Sequence, residues 1–215
     1  MTEKPNIVYV FADDMGYGDL SCLNESSKIR TPRMDRVADE GMRFTDAHSS
    51  SAVCTPSRYS LLTGRYNWRS TLQRGVLNGY SDKLIEDGRM TVASYLRDRG
   101  YFPACVGKWH LGMTWPRRGP GPEDVDFSRP IVGGPTSVGF DYYFGISASL
   151  DMPPYVYIEN DRATAEPDHE TANDDEKAFW RAGPTAPDFR HEEVLPRCSE
   201  NVCRIIAAQA AATGG

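Results

Sequence analysis

The sequence predicts an α/β fold in which a mostly parallel central sheet is flanked by helices. Three observations carry that prediction. An uninterrupted run of β-branched and aromatic residues opens the chain at 6–12 (NIVYVFA). Two helix–Gly–strand units follow, at 31–47 and 91–106. No stretch of about 18 consecutive apolar residues interrupts them, so no helix is expected to span a membrane. Strands alternating with helices at this spacing imply crossover connections.

Residues 6–12 lack any polar interruption after Asn6 and read as a buried strand. Asp13-Asp14 and the glycines after them form a loop at its carboxyl end. Thr31-Pro32 has the form of a helix N-cap and first turn, with Met34, Val37 and Ala38 on one face and Gly41 as the stop. Residues 42–47 read as a second strand. Residues 56–63 read as a short helix closed by Gly64. Thr91 caps a helix that runs to Gly100, and 101–106 reads as a further strand. Residues 115–139 are rich in Gly and Pro and are expected to form a long surface loop, of the length that usually carries function. A short strand is expected at 156–158. Residues 161–188 are polar and acidic and read as a loop or insertion. Residues 192–212 read as a helix whose start Pro196 confines to its neighbourhood.

The chain has 215 residues and a formal charge of −6. That excludes a global basic field for nucleic acid or anionic lipid, so any anionic ligand must meet a local cluster of cations. Five cysteines, dispersed and odd in number, form neither a disulfide framework nor a zinc set. The first residues carry no signal-peptide pattern. The chain as it stands is expected to be cytoplasmic, or periplasmic or secreted if a leader precedes it. Ending just after a helix, at Thr213-Gly214-Gly215, it reads as interrupted and incomplete at the C-terminus.

Three clusters carry chemistry. Asp13-Asp14 lies at the carboxyl end of the first predicted strand, where open α/β sheets bind ligands. Adjacent carboxylates there suit a hard divalent cation, although the dipeptide alone better suits a solvated acidic turn or a capping pair. Cys54-Thr55-Pro56-Ser57-Arg58 straddles a helix start, where backbone N–H groups and the dipole attract an anion. Arg58, four residues on, reaches the same side as Cys54. The plain alternative is an inert cysteine before an ordinary helix. In Gly107-Lys108-Trp109-His110-Leu111-Gly112, a continuing strand puts Lys108 and His110 on one face. There a cation and an imidazole share a target. A solvated lysine and a backbone-satisfied histidine are the alternative.

Taken together and in order, these motifs resemble the amino-terminal part of a sulfatase, of the alkaline-phosphatase-like superfamily. Leu61-Leu62-Thr63-Gly64-Arg65-Tyr66, Thr31-Pro32 with Asp35-Arg36, and Gly41-Met42-Arg43-Phe44-Thr45 belong to the same likeness. It covers most of residues 4–160. The whole chain, 1–215, is then the amino-terminal part of one catalytic domain of alkaline-phosphatase-like sandwich form, with long loops at about 113–140 and 161–190.

The resemblance implies sulfuric-ester hydrolysis. Cys54 is the expected precursor of Cα-formylglycine, made by a formylglycine-generating maturation enzyme. One hydroxyl of the hydrated aldehyde attacks sulfur, and the second allows the aldehyde to reform as sulfate leaves. Asp13, Asp14 and the oxygen derived from Cys54 are the implied ligands of a divalent cation, Ca²⁺ foremost with Mg²⁺ as the alternative. Arg58 is implied to fix the hydrate, Lys108 to bind sulfate oxygens, and His110 to take a proton from the hydrate. Ser149 stands where the family often has a substrate-binding serine. The substrate implied is a sulfate-ester small molecule or a sulfated saccharide, with neither nucleic acid nor membrane as partner. The family's later Asp-Asn metal pair, second histidine and second lysine have no counterpart here, so the site is expected to be incomplete in these residues and this stretch alone inactive. Two other readings stay open. One is a phosphodiesterase or phosphonate monoester hydrolase of the same superfamily. The other is a truncated, non-catalytic binder of sulfated ligands.

Overall fold

The computed structural model describes residues 4–176 and 178–213. They fall into two compact units divided after Ser49.

The first unit holds helix α1 (Pro32–Glu40) and a single 3₁₀ turn at Tyr17–Asp19. Pro32 sits in the first turn as expected, and Gly41 follows the last residue. Thr31 occupies the N-cap position, but its hydroxyl donates to the Asp35 carboxylate at 2.8 Å instead of closing the helix. Ser21 Oγ, at 2.7 Å, and the Cys22 N–H, at 3.0 Å, complete the shell around Asp35. Those bonds, led by Ser21, hold its carboxyl below the usual range.

The strands expected at 6–12 and 42–47 do not form. Both stretches are irregular and exposed, with Val10 at 79% and Met42 at 77% accessibility. β-propensity expresses packing against neighbours. Among the described residues, no strand is found in either stretch.

The second unit holds the sheet and the core. Helix α2 (Cys54–Thr63) begins two residues earlier than the sequence predicts. It ends on Gly64, whose φ of 66° lies in the left-handed region that glycine occupies without cost. Helix α3 (Val92–Arg97) is opened by a capping box in which Thr91 Oγ1 accepts from Ser94 N at 3.1 Å. Strand β1 (Ala104–Lys108) pairs in parallel with β2 (Tyr142–Ile146), the pair made possible by the crossover between them. Strands β3 (Ile158–Glu159) and β4 (Arg162–Ala163) extend the sheet antiparallel, in the order β1-β2-β3-β4. The α/β class therefore holds, with a mixed sheet in these residues.

Where β1 meets β2, Gly107 lies opposite Gly145. A Cβ on Gly145 would stand 1.8 Å from the Gly107 carbonyl, so only glycine allows the strands to close. The core collects on this sheet. Trp109 meets Phe140 edge-on at 6.2 Å, and Phe144 stacks on Tyr157 at 5.4 Å. Helix α4 (Val194–Thr213) packs on β1 and β2. Pro196 falls in its first turn, where its missing N–H costs nothing.

Residues 115–139 have little regular structure, as expected: one isolated bridge between Arg117 and Val125, and a 3₁₀ turn at Pro135–Val138. The segment is nonetheless pinned down by buried Trp115, Val125 and Ile131. Part of the polar region 161–188 is a two-stranded ribbon and not a loop. Strand β5 (His169–Asp175) pairs antiparallel with β6 (Ala178–Thr185), with a bulge between Thr171 and Asn173. Its strands show no apolar alternation because most of both is solvated. Among the described residues no helix is long and apolar enough to cross a membrane.

Candidate active site

The site in the second unit is built on the start of α2. Cys54 is the first helical residue, half-buried, with extended Val53 as N-cap. That places its sulfur where the first-turn N–H groups and the helix dipole favour negative charge. Pro56 and Thr55 are buried and seat the turn in the core.

Thr55 ties the helix start to the β1 exit. Its Oγ1 donates to the His110 carbonyl at 3.0 Å and accepts from Leu77 N at 3.2 Å. His110 Nε2 in turn donates to the Leu77 carbonyl at 2.7 Å. Three separate segments thus close into one buried hydrogen-bonded ring. With Nε2 protonated, the basic lone pair of the neutral imidazole lies on Nδ1.

Arg58, one turn along α2, donates from Nη1 to the Lys108 carbonyl at 2.5 Å. The guanidinium therefore braces the last residue of β1. Lys108 is half-buried, and its Nζ donates to Ser149 Oγ at 3.4 Å. Beyond Lys108, backbone bonds continue from Trp109 N to Ile146 O and from His110 N to Ser147 O. The strand-like alternation nevertheless breaks at His110, which sits at φ 57° with its side chain fully buried. Lys108 and His110 therefore do not simply share a strand face. The left-handed turn carries the imidazole down to Leu77 and leaves the ammonium beside Ser149.

Cys54, Arg58, Lys108, His110 and Ser149 thus all belong to one unit. Asp13 and Asp14 belong to the other, as exposed residues at the end of the extended run, with Asp14 at φ 54°. Among the described residues, no three His, Cys, Asp or Glu side chains gather to hold a metal ion. The remaining histidines serve elsewhere: His191, for example, stacks on Trp180 at 3.9 Å.

Sequence reading missed three participants. Thr55 stands inside the motif and could have been singled out as a buried hydroxyl. The Leu77 backbone and the Asp151–Arg181 pair are brought in by tertiary folding and leave no local signal.

Comparison with known proteins agrees with these motifs. The sulfatase family model matches residues 5–186. An N-acetylgalactosamine-6-O-sulfatase of Bacteroides thetaiotaomicron is 45% identical over 74% of this chain and 30% of its own length. Human arylsulfatase A is 42% identical over 72% of this chain and 27% of its own. A solved structure from work on the metabolism of multiple glycosaminoglycans by Bacteroides thetaiotaomicron superposes with a TM-score of 0.80 at 32% identity. It covers 96% of this chain and 48% of the other. The chain spans 30% or less of the length of these two curated relatives. On the family match and these identities, the chain belongs to the sulfatase family.

Proposed function

We propose that the protein hydrolyses sulfate esters, with Cys54 matured to Cα-formylglycine as the source of the nucleophile. The observation that supports this most is the junction of α2 and β1. There Cys54 starts a helix, Arg58 bonds the Lys108 carbonyl and Thr55 bonds the His110 carbonyl. A family such as this one generally uses formylglycine and a divalent metal, and the residues present fit both in kind. Cys54 is half-buried at a helix start. Asp13 and Asp14 offer the carboxylate oxygens a hard cation takes, Ca²⁺ before Mg²⁺, though two residues supply only part of its shell of about six to eight oxygens.

When bound, such a cation would neutralise sulfate charge and lower the pKa of the attacking hydroxyl. The matured side chain would supply two geminal hydroxyls, one to attack and one to release sulfate. The chain's own residues do the rest. The α2 N-terminus and the Lys108 ammonium bind the anionic ester. Arg58 adds positive potential and, through the Lys108 carbonyl, fixes where β1 ends. His110 Nδ1, presented by the Nε2 bond to Leu77, accepts a proton. The substrate class is a sulfate monoester, and the sugar sulfate named for the bacterial relative supports a sulfated saccharide. The partner needed for activity is a formylglycine-generating enzyme.

Turnover of matched aryl sulfate and aryl phosphate esters by the whole protein, produced with that maturation enzyme, tests the proposal. Sulfate turnover exceeding phosphate turnover supports it. Faster phosphate turnover, or none on either ester with Cys54 fully matured, overturns it.

A further inference from the structure

The β5–β6 ribbon reaches the site through one arginine. Arg181, in the middle of β6, donates from Nη1 to the Asp151 carboxylate and to the Asp151 carbonyl at 3.1 Å. Its own N–H bonds that carbonyl again at 3.2 Å. The arginine is itself held, because fully buried Tyr155 donates its hydroxyl to the Arg181 carbonyl at 2.7 Å. The guanidinium also lies over the Phe179 ring at 5.6 Å. Asp151 in turn belongs to the turn that carries Ser149, closed by Met152 N on the Ser149 carbonyl at 3.0 Å.

The donors and acceptors in this chain run one way. A serine hydroxyl has one proton and two lone pairs. An ammonium only donates, so Lys108 Nζ meets a Ser149 lone pair, at 3.4 Å. Ser149 is thereby an acceptor that steadies Lys108. The charges matter as much. Asp151 stands two residues from the serine that meets the ammonium, on the same turn. Left unpaired, its negative charge would offset Lys108; paired with Arg181, that charge is met and the turn that carries Ser149 is held in place.

We propose that Arg181 is a positioning residue of the active site: by clamping and neutralising Asp151, it holds Ser149 as the acceptor that aims Lys108 at the sulfate group. The β5–β6 ribbon, an element with no share in the sequence motifs, is then part of the anion site. This inference rests on the sulfate-ester reading for the identity of the anion.

The test is the affinity for inorganic sulfate, measured by titration calorimetry on the whole protein, beside KM and kcat on an aryl sulfate. Arg181→Ala is expected to weaken sulfate binding and raise KM together by about threefold, the scale of a partly exposed ion pair, with kcat changed by less than about twofold. Arg181→Lys should recover most of the loss by restoring the charge. Asp151→Asn added to Arg181→Ala should recover sulfate affinity as well, because the uncompensated carboxylate is gone. A structural role alone would instead lower the melting temperature and leave sulfate affinity and KM untouched, which overturns the proposal. So does weakened binding that Asp151→Asn fails to relieve. Sulfate affinity that responds as expected in a protein without ester turnover sinks the hydrolase reading and keeps this one. A wild type that binds no sulfate sinks both.

Discussion

Replacing Thr55 by valine removes one oxygen atom and almost no volume. That oxygen is buried and closes the ring joining α2, the Leu77 segment and His110. Valine would leave the Leu77 N–H and the His110 carbonyl each short of this partner. An unmet buried polar group costs about 1–3 kcal/mol, so two of them give roughly 3 kcal/mol after partial relaxation. In a chain of this size each kcal/mol moves the melting temperature by about 2–4 °C. Thermal unfolding followed by circular dichroism should therefore show a fall of about 6–12 °C, with the urea m-value unchanged. Thr55→Ser keeps the hydroxyl and should lose much less, only the buried methyl. A valine variant melting with the wild type while the serine variant drops would refute the reasoning. It would mean that the methyl, and not the hydroxyl bridge, seats the helix.

Further outcomes follow from the same coordinates. Gly145→Ala forces a Cβ against the Gly107 carbonyl and should cost on the order of 3–5 kcal/mol, seen as insoluble protein or a collapsed thermal transition. Desolvation pushes the Cys105 thiol up to about 12, so a thiol reagent should modify exposed Cys203 at once and half-buried Cys105 far more slowly. His191, packed among the rings of Trp180, Tyr155 and Phe189, has its pKa pushed below the ordinary 6.5, chiefly by desolvation. The unfolded chain then takes up the proton more readily than the fold. Its contribution is full above pH 6.5 and is lost as the pH falls through the lower folded value. Melting temperature should drop between about pH 8 and pH 5, and His191→Phe should flatten that slope.

Local signals were more legible in the sequence than strand pairing. Helix boundaries are local chemistry: Pro32, the Thr91–Ser94 box and Gly64 all act within one turn, and each was readable. The Cys54 and Lys108 motifs are likewise contiguous. The strands depended on partners. Residues 6–12 have every strand propensity, yet no strand forms there. Strand β2 and the β5–β6 ribbon form because tertiary contacts hold them, the ribbon by Arg181 on Asp151 and by Trp180 on His191. The alternation expected to align Lys108 with His110 failed at a single residue. His110 adopts a left-handed backbone because Thr55 and Leu77 hold its carbonyl and ring, a constraint from segments far away in sequence.

The decisive measurement is the mass of the peptide containing Cys54, taken from protein produced together with a formylglycine-generating enzyme. The mass of Cα-formylglycine at position 54 is the result expected if the α2 N-terminus presents a nucleophile for sulfate esters. An intact thiol at Cys54, with a control substrate of the same enzyme fully converted, would contradict it.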